Sequence, residues 1–227
     1  LADSCPADKF AQFVKEHPGH TVISYVNTTA AVKAVTDVVV TSTNARQIVE
    51  SFPEDEKIIF GPDRNLGNYI NSVTGRNMLL WDGACHVHEQ FSVEKIVELK
   101  QQHPSAVVLA HPECKGTVLK LADVVGSTAA LLKYAVARPE KEYIVATESG
   151  ILHEMQKKCP QTKFIPAPPN DSTCACNECN FMRLNTLEKL YNCLKDESPE
   201  IKVDAEIAEK AVKPIKRMLE ISAKLGL

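Results

Sequence analysis

Short runs of β-branched and aliphatic residues alternate along the chain with stretches in which apolar residues recur at helical spacing. The helical pattern is clear in Phe10–Glu16 and Glu94–Gln101, whereas the short runs are typical of buried strands. This alternation predicts an α/β fold with parallel sheets. The predicted strands are Thr21–Val26, Val38–Val40, Lys57–Phe60, Met78–Trp81, Ala106–Leu109, Tyr143–Thr147 and Phe164–Ile165.

The chain also repeats itself. A shift of 86 positions superimposes one half on the other without a gap over a long stretch, so that His17-Pro18 falls on His103-Pro104 and Asp37-Val38-Val39 falls on Asp123-Val124-Val125. A repeat of this length predicts two similar α/β units in series.

Polar residues occupy matching places after the first strand of each unit. Tyr25 and Asn27 fall on His111 and Glu113 under the same shift. Open α/β sheets bind ligands at the carboxyl ends of their strands, so we expect these four residues to contribute to a site. His111 and Glu113, two positions apart, face one side of an extended segment, which suits proton transfer or substrate orientation. Taken singly, a core histidine and a surface glutamate would be the default interpretation.

Two hydroxyl-rich segments, Thr41-Ser42-Thr43 and Gly126-Ser127-Thr128, each follow a short valine run. Their hydroxyls and backbone amides could hold a phosphate or carboxylate at a helix start. The signal is weak alone, because serine and threonine are ordinary helix caps.

Composition excludes several classes of function. The 227 residues are 44% hydrophobic and carry a net charge of −3, without the dense Lys/Arg run that binds nucleic acid or a membrane surface. No apolar run reaches the roughly 18 residues of a membrane span, and the first ten residues do not have a signal-peptide pattern. We therefore expect a cytoplasmic protein. Eight cysteines are too few for a secreted disulfide scaffold, so clustered thiols indicate metal ligands or redox groups.

Three cysteines, Cys174, Cys176 and Cys179, lie within six residues of a loop that follows a proline-rich stretch. The alternatives are a local zinc knot, a Cys176/Cys179 redox pair, or Cys179 joining distant cysteines around a cluster. We favour the last, because three unevenly spaced thiols fit one ion poorly. The remaining cysteines, apart from Cys85, are interpreted as packing residues; these are Cys5, Cys114, Cys159 and Cys193.

The repeat supports a shared cluster. Cys85 shifted back by 86 reaches a position two residues before Leu1, and shifted forward it reaches Asp171, eight residues short of Cys179. If each unit ends in a cysteine, Cys85 alone is a stronger candidate than a zinc half-site with His86 and His88. The predicted organisation is the tail of a first unit at 1–8, a second α/β unit at 9–91 and a third at 92–227.

Two amphipathic helices close the predicted third unit. The first covers about Thr186–Lys195, with Asn185 as its cap and Glu188 in the capping-box position. The second runs near Asp204–Leu225, with a kink at Pro214. Its predicted packed face consists of Ile207, Ala211, Ile215, Leu219 and Ser222. Both are interpreted as structural.

In combination, these motifs resemble the quinolinate synthases, the iron-sulfur enzymes of bacterial and plastid NAD biosynthesis. The matching segments are L-A-D-S-C-P-A-D at Leu1, Y-V-N-T-T-A-A-V-K-A at Tyr25, T-S-T-N-A at Thr41, P-D-R-N-L-G at Pro62, W-D-G-A-C at Trp81, H-P-E-C at His111, V-G-S-T at Val125 and the terminal cysteine loop. The resemblance spans essentially the whole chain.

The resemblance implies three-layer α/β domains related by pseudo-threefold symmetry, each giving one cysteine to a 4Fe-4S cluster. It implies a transferase-type condensation of iminoaspartate with dihydroxyacetone phosphate to quinolinate, with loss of phosphate and water and the cluster as Lewis acid. A functional link to L-aspartate oxidase or aspartate dehydrogenase follows. By position, Cys85 and Cys179 resemble cluster ligands. The implied catalytic residues are Tyr25, Asn27, His111 and Glu113, and the implied anion-binding residues are Ser42, Ser127 and Thr128.

The chain departs from the family in two places. It begins at the leucine of a C-S-L-A-D motif whose cysteine is the third ligand, so we expect most of the first domain to be missing and the chain alone to be inactive. Its loop is C-x-C-x-x-C where some members have C-x-x-C-x-x-C, which leaves the roles of Cys174 and Cys176 open. The alternative function is a non-enzymatic zinc-binding or thiol-redox module.

Overall fold

The structure, a computed structural model, describes residues 1–139, 141–171 and 177–227. Cys174 and Cys176 lie outside the described residues, and so do the expectations about them. The described part is built from helices and two parallel four-stranded sheets. The predicted α/β class with parallel sheets is therefore confirmed.

The first sheet has the strand order β2-β1-β3-β4, with every neighbouring pair parallel. Its strands are β1 (Thr21–Tyr25), β2 (Val38–Val40), β3 (Ile58–Gly61) and β4 (Leu79–Leu80). The associated helices are α1 (Ala7–Glu16), α2 (Ala30–Lys33), α3 (Ala45–Glu50) and α4 (Arg64–Thr74).

The second sheet has the equivalent order, β6-β5-β7-β8, again entirely parallel. Its strands are β5 (Val107–Ala110), β6 (Val124–Val125), β7 (Tyr143–Ala146) and β8 (Phe164–Pro166). Its helices are α5 (Val93–Gln102), α6 (Gly116–Leu119), α7 (Thr128–Val136) and α8 (Ile151–Lys158), and α9 (Leu187–Asp196) and α10 (Ala205–Leu225) follow. The strand prediction missed β6, where two valines followed by Gly126 form a shorter apolar run than the three valines of β2.

The two units share contacts as well as strand order. A carboxylate oxygen of Asp37 accepts a hydrogen bond from the backbone N–H of Val22 at 2.7 Å, and Asp123 does the same for Val108 at 2.8 Å. Both aspartates precede the second strand of their unit and hold the start of the first. The shift of 86 therefore describes a true structural repeat.

The central strands of both sheets are continuous apolar runs, because helices cover both faces of a parallel sheet. In β3, every residue of Ile58–Gly61 is buried, and in β7 every residue of Tyr143–Ala146 is buried. Each sheet has its own apolar clusters, in which the strands pack against the flanking helices. Their packing fixes the strand ends, from which the candidate site is built.

The helix α10 follows the second sheet along the chain but packs on the first sheet. Ala211 and Pro214 are buried, and Met218 and Ile221 contact the apolar cluster of the first sheet. Leu219 is exposed, so its predicted place on the packed face was wrong. The helix continues through Pro214. Among the described helices, none is long and apolar enough to cross a membrane.

The cap predicted for α9 was wrong by one residue. The hydroxyl of Thr186, rather than the side chain of Asn185, accepts the hydrogen bond of the Lys189 backbone N–H at 3.2 Å. This places Glu188 at the second helical position, so it is outside the capping-box position.

Candidate active site

The carboxyl ends of strands from both sheets open into one cavity of about 800 Å³. Most residues predicted for the site from the sequence line it, although they come from distant parts of the chain. They are Tyr25, Asn27, Ser42, Cys85, His111, Glu113, Thr128 and Cys179. The structure thus brings together residues from both repeats.

Ser127 is the exception among the predicted residues. It is buried, and its hydroxyl accepts the Ala130 backbone N–H at 3.3 Å as the cap of α7. The next residue, Thr128, lines the cavity at the first position of the helix. At this helix start, therefore, the residue beside the cavity is Thr128, while Ser127 has the ordinary role of a cap.

The Cys85 loop is held by Asp63, a fully buried residue at the start of α4. One carboxylate oxygen of Asp63 accepts the backbone N–H of Leu66, and the other accepts the backbone N–H of Cys85, both at 2.8 Å. Gly83 allows the loop to approach, since a Cβ atom there would lie 2.4 Å from the carbonyl oxygen of Pro62. Asp63 therefore ties the Cys85 backbone to the sheet.

Glu148 plays the corresponding part in the second unit. Its two carboxylate oxygens accept the backbone N–H of Gly150 at 2.7 Å and that of Cys179 at 3.3 Å. Glu148 also lines the cavity and follows the end of β7 by two residues. In both units an acidic side chain beyond the third strand anchors the cysteine amide.

Glu113 lies beside two stacked imidazole rings. Its Oε2 atom is 2.9 Å from Nδ1 of His88 and 3.7 Å from Nδ1 of His111. The ring centroids of the two histidines are 4.7 Å apart, and all three side chains are buried. Nε2 of His88 lies 3.1 Å from the hydroxyl of Thr147. The contact of Glu113 is therefore closer with His88 than with His111.

The protonation states of this group follow from burial and charge. Burial lowers the pKa of His111 to about 4, and the positive charge of His88 adds to the effect. Burial also opposes the charged form of His88, but contacts with Cys85 and Glu113 outweigh it and raise its pKa to about 10. Burial raises the pKa of Glu113, yet the interaction with His88 brings it below its usual value. A charged His88–Glu113 pair thus lies beside a neutral His111 at neutral pH.

The hydrogen bonding of His111 indicates its tautomer. The backbone N–H of Glu113 donates to Nδ1 of His111 at 3.4 Å, so the proton of the neutral ring is on Nε2. Burial raises the pKa of the nearby Tyr25 above its usual value, so the phenol keeps its proton as well. The cavity therefore contains two neutral groups that can donate hydrogen bonds.

Cys85, His88 and Glu113 form a group able to hold a metal ion, because their ligand atoms all lie within 4.8 Å of one another. Thiolate, imidazole and carboxylate are ordinary ligands of zinc and iron. Three buried side-chain atoms of the described residues have no hydrogen-bond partner: Nε2 of His86, Nδ1 of His88 and Oε1 of Glu113. Nδ1 of His88 is within ion-pair distance of Glu113 but is not aligned for a hydrogen bond.

Sequence reasoning missed the parts played by Asp63, Glu148 and His88. For His88 the signal was the H-V-H that follows Cys85, but the repeat gave no reason to prefer it. The sequence Pro62-Asp63-Arg64-Asn65 predicts a turn with an ion pair. The contacts of Arg64 with Asp82 and Glu89 agree with the ion pair, but α4 begins at Arg64, so the predicted turn was wrong. Only the folded chain shows that the cap of this helix anchors a cysteine 22 positions later.

The segment that carries Asn27 is held by Lys33, a buried residue at the end of α2. Its Nζ atom donates to the carbonyl oxygens of Val26 at 2.9 Å and Thr28 at 2.5 Å. Burial lowers the pKa of this amine. Lys33 therefore connects the strand end to the helix that follows it.

We expect Lys33→Met to destabilise the protein by about 1–3 kcal/mol, because buried carbonyl groups lose their donor. Urea unfolding followed by circular dichroism measures the change. Lys120→Met, at an exposed position, is the matched control and should stay within about 0.5 kcal/mol of the parent. Equal stability of the two variants would contradict the role of Lys33.

Leu1, Ala2 and Asp3 also line the cavity. The part of the chain that forms the first sheet holds this segment, since Nε1 of Trp81 donates to the carbonyl oxygen of Ser4 at 2.8 Å. The amino-terminal residues therefore share the cavity with both cysteines.

Comparison with known proteins agrees with the motifs around this cavity. The sequence model of a family described as quinolinate synthetase A protein matches residues 1–220. The quinolinate synthase of Synechococcus sp. is 56% identical over 223 residues, which are 98% of this chain and 70% of that protein. Those of Chloroherpeton thalassium and Thermosynechococcus vestitus are each 55% identical over 222 residues, or 98% of this chain and 69% and 70% of theirs.

The match thus covers both repeats, the cavity between their strand ends and the two cysteines that line it. The chain belongs to the quinolinate synthase family.

Proposed function

We propose that the cavity is the active site of a quinolinate synthase, which condenses iminoaspartate with dihydroxyacetone phosphate and releases phosphate and water. The observation that carries this proposal is the convergence of Cys85, Cys179 and the polar strand-end residues of both units on one cavity. The substrates are small and anionic, and the hydroxyls of Ser42 and Thr128 and the start of α7 offer hydrogen-bond donors to them. An oxidase or dehydrogenase that acts on aspartate would supply the iminoaspartate.

The cavity residues fit a 4Fe-4S cluster. Cys85 and Cys179 are free thiols, each partly exposed in the same cavity, and buried polar atoms of His86, His88 and Glu113 have no hydrogen-bond partner. We assign Cys85 and Cys179 as two of its ligands. When bound, a cluster with one open iron supplies a Lewis acid for substrate oxygens.

The proposed cluster needs a third thiolate, and the sequence repeat supports a position two residues before Leu1 for it. Leu1 lines the cavity, and two residues span at most about 7 Å. A cysteine at that position would reach the site. The chain would then comprise the tail of a first unit at 1–8, a second at 9–91 and a third at 92–227, and two ligands alone would hold a cluster poorly.

The proton chemistry is assigned to Tyr25, His111 and Glu113. The Nε2–H of neutral His111 and the phenol of Tyr25 donate hydrogen bonds to substrate oxygens on which negative charge develops. Glu113, ionised by its pairing with His88, is the acceptor for protons released during dehydration. Asn27, at the matching place of the other unit, orients the substrate.

The start of α7 is assigned as the binding site for the phosphate group of dihydroxyacetone phosphate. This helix has nine residues, and Thr128 at its first position lines the cavity. Backbone N–H groups at a helix start attract anions, and the Thr128 hydroxyl adds a donor. Ser42 contributes a hydroxyl from the other unit, while Ser127 stabilises the helix start as its cap.

The test uses a hybrid protein in which the residues of the Synechococcus relative that precede its match to this chain are joined ahead of Leu1. After anaerobic reconstitution we expect about four irons per chain, brown colour and quinolinate formation. The 227-residue chain treated in the same way should retain less iron and form no quinolinate. Full iron content without quinolinate formation from the two substrates would refute the proposed reaction.

A zinc-binding module remains the second candidate, because Cys85, His88 and Glu113 offer three ligands for one ion. Metal analysis of the same preparations separates the two functions. One zinc per chain that persists in excess iron, with no absorbance from a cluster, would favour the module.

A further inference from the structure

Three helices of the chain occupy equivalent places in the repeat. The helix α5 begins eight residues after Cys85, and α9 begins eight residues after Cys179. The helix α1 begins eight residues after the position two before Leu1, where the repeat places another cysteine. Each of the three helices has ten residues.

Their sequences share a pattern. Each opens with an apolar residue, an acidic residue, a lysine and a second apolar residue. The segments are Ala7-Asp8-Lys9-Phe10, Val93-Glu94-Lys95-Ile96 and Leu187-Glu188-Lys189-Leu190. We call the helix that precedes the first strand of a sheet its leading helix; α1 precedes β1 and α5 precedes β5. The helix α9 is therefore a third copy of a leading helix, although it follows the last described sheet.

Burial distinguishes α9 from the other two copies. Phe10 is 0% exposed and Ile96 is 1% exposed, because α1 packs on the first sheet and α5 on the second. The equivalent Leu190 is 57% exposed. Leu187, Tyr191 and Leu194 of the same helix are also exposed, and no residue of α9 is buried in the described part of the chain.

We propose that α9 is the leading helix of a further α/β unit, and that it covers the sheet of that unit as α1 and α5 cover theirs. The unit is carried ahead of Leu1 in a longer polypeptide, so α9, from near the end of the chain, would complete the unit that precedes Leu1. The 223 residues matched in the Synechococcus relative are 70% of that protein, which leaves roughly 95 residues without a counterpart here. A unit made of one 86-residue repeat less its leading helix fits within that length.

A second copy of this chain is a poorer occupant. In each copy α1 already covers the first sheet and α5 the second, so neither sheet has the corresponding face free. A unit without its own leading helix offers the matching face. This inference concerns assembly and does not depend on which reaction the cavity performs.

Hydrogen exchange on the 227-residue chain and on the hybrid protein tests the proposal. In the chain we expect the α9 amides to exchange at least about tenfold faster than those of α1 and α5, and in the hybrid all three helices should be similarly protected. The Synechococcus relative provides a second measurement that does not depend on the hybrid folding. Its helix aligned with α9 should be as protected as those aligned with α1 and α5.

Leu190→Lys gives an independent result. It should lower the melting temperature of the hybrid by several degrees and leave that of the 227-residue chain unchanged. Val97→Lys, at a partly exposed position of α5, is the control and should change neither. Equally fast exchange of α9 in the chain, the hybrid and the relative would overturn the proposal. So would a dimer of the 227-residue chain, seen by light scattering, that Leu190→Lys dissociates.

Discussion

Cys85→Ser in the hybrid protein should reduce the iron content from about four atoms per chain to less than about one and abolish the brown colour. Quinolinate formation should fall by more than about 100-fold, because loss of a direct ligand costs at least as much as loss of a residue that only supports one. The hydroxyl of serine is a much harder ligand than a thiolate and does not ionise at neutral pH. Iron analysis and quinolinate quantification after anaerobic reconstitution measure both effects.

The control for this substitution is Cys159→Ala. Cys159 is buried at the end of α8 and does not line the cavity. This variant should keep its iron and its colour. Cys179→Ser should behave as Cys85→Ser does, since both thiols line the same cavity. Normal iron content in Cys85→Ser would remove Cys85 from the ligand set.

Glu113→Gln should reduce quinolinate formation by about 10²–10⁴-fold, the range lost with a general acid or base. Glutamine has nearly the same shape as glutamate, but it cannot accept a proton or carry the charge that pairs with His88. Because Glu113 is not among the assigned cluster ligands, we expect the iron content to be nearly unchanged. Steady-state kinetics with both substrates measure the effect on kcat.

Iron content and kcat together show which role Glu113 has. Loss of activity with full iron supports proton transfer, whereas loss of both would place Glu113 among the metal ligands. Glu142→Gln is the matched control, because Glu142 pairs with Lys163 at the surface. It should leave kcat unchanged. An unchanged kcat in Glu113→Gln would exclude its catalytic role.

The repeat is the part of the fold that the sequence predicted best. The shift of 86 aligns Asp37 with Asp123, and in the fold both aspartates hold the first strand of their unit. These aspartates can be recognised from the sequence because both repeats keep the same residue for the same local hydrogen bond. The alignment of Tyr25 with His111 likewise placed polar residues at strand ends, and both line the cavity.

Other features depend on contacts between distant segments, which periodicity does not record. His88 is brought beside Glu113 by the docking of the Cys85 loop on the second sheet. Nothing in the sequence distinguishes Lys33 from a surface lysine, yet its Nζ atom donates hydrogen bonds to two backbone carbonyl oxygens. Leu219 has helical spacing typical of a packed face, but the neighbouring Met218 and Ile221 make the contact. In each case several residues have the same local sequence pattern, and only the tertiary packing determines which of them makes the contact.

The hydrogen bonds that the backbone N–H groups of Cys85 and Cys179 donate to Asp63 and Glu148 bear on how the proposed cluster would be loaded. Both are made by the protein alone, and neither Cys85 nor Cys179 belongs to an apolar cluster of the sheets. Because both acceptors closely follow strands, folding of the sheets can order these two backbone positions and so lower the conformational entropy that metal uptake would cost. A zinc finger behaves in the opposite way, because its metal binding and folding are one event. Iron starvation should thus leave a folded apoprotein that can be reloaded without resynthesis.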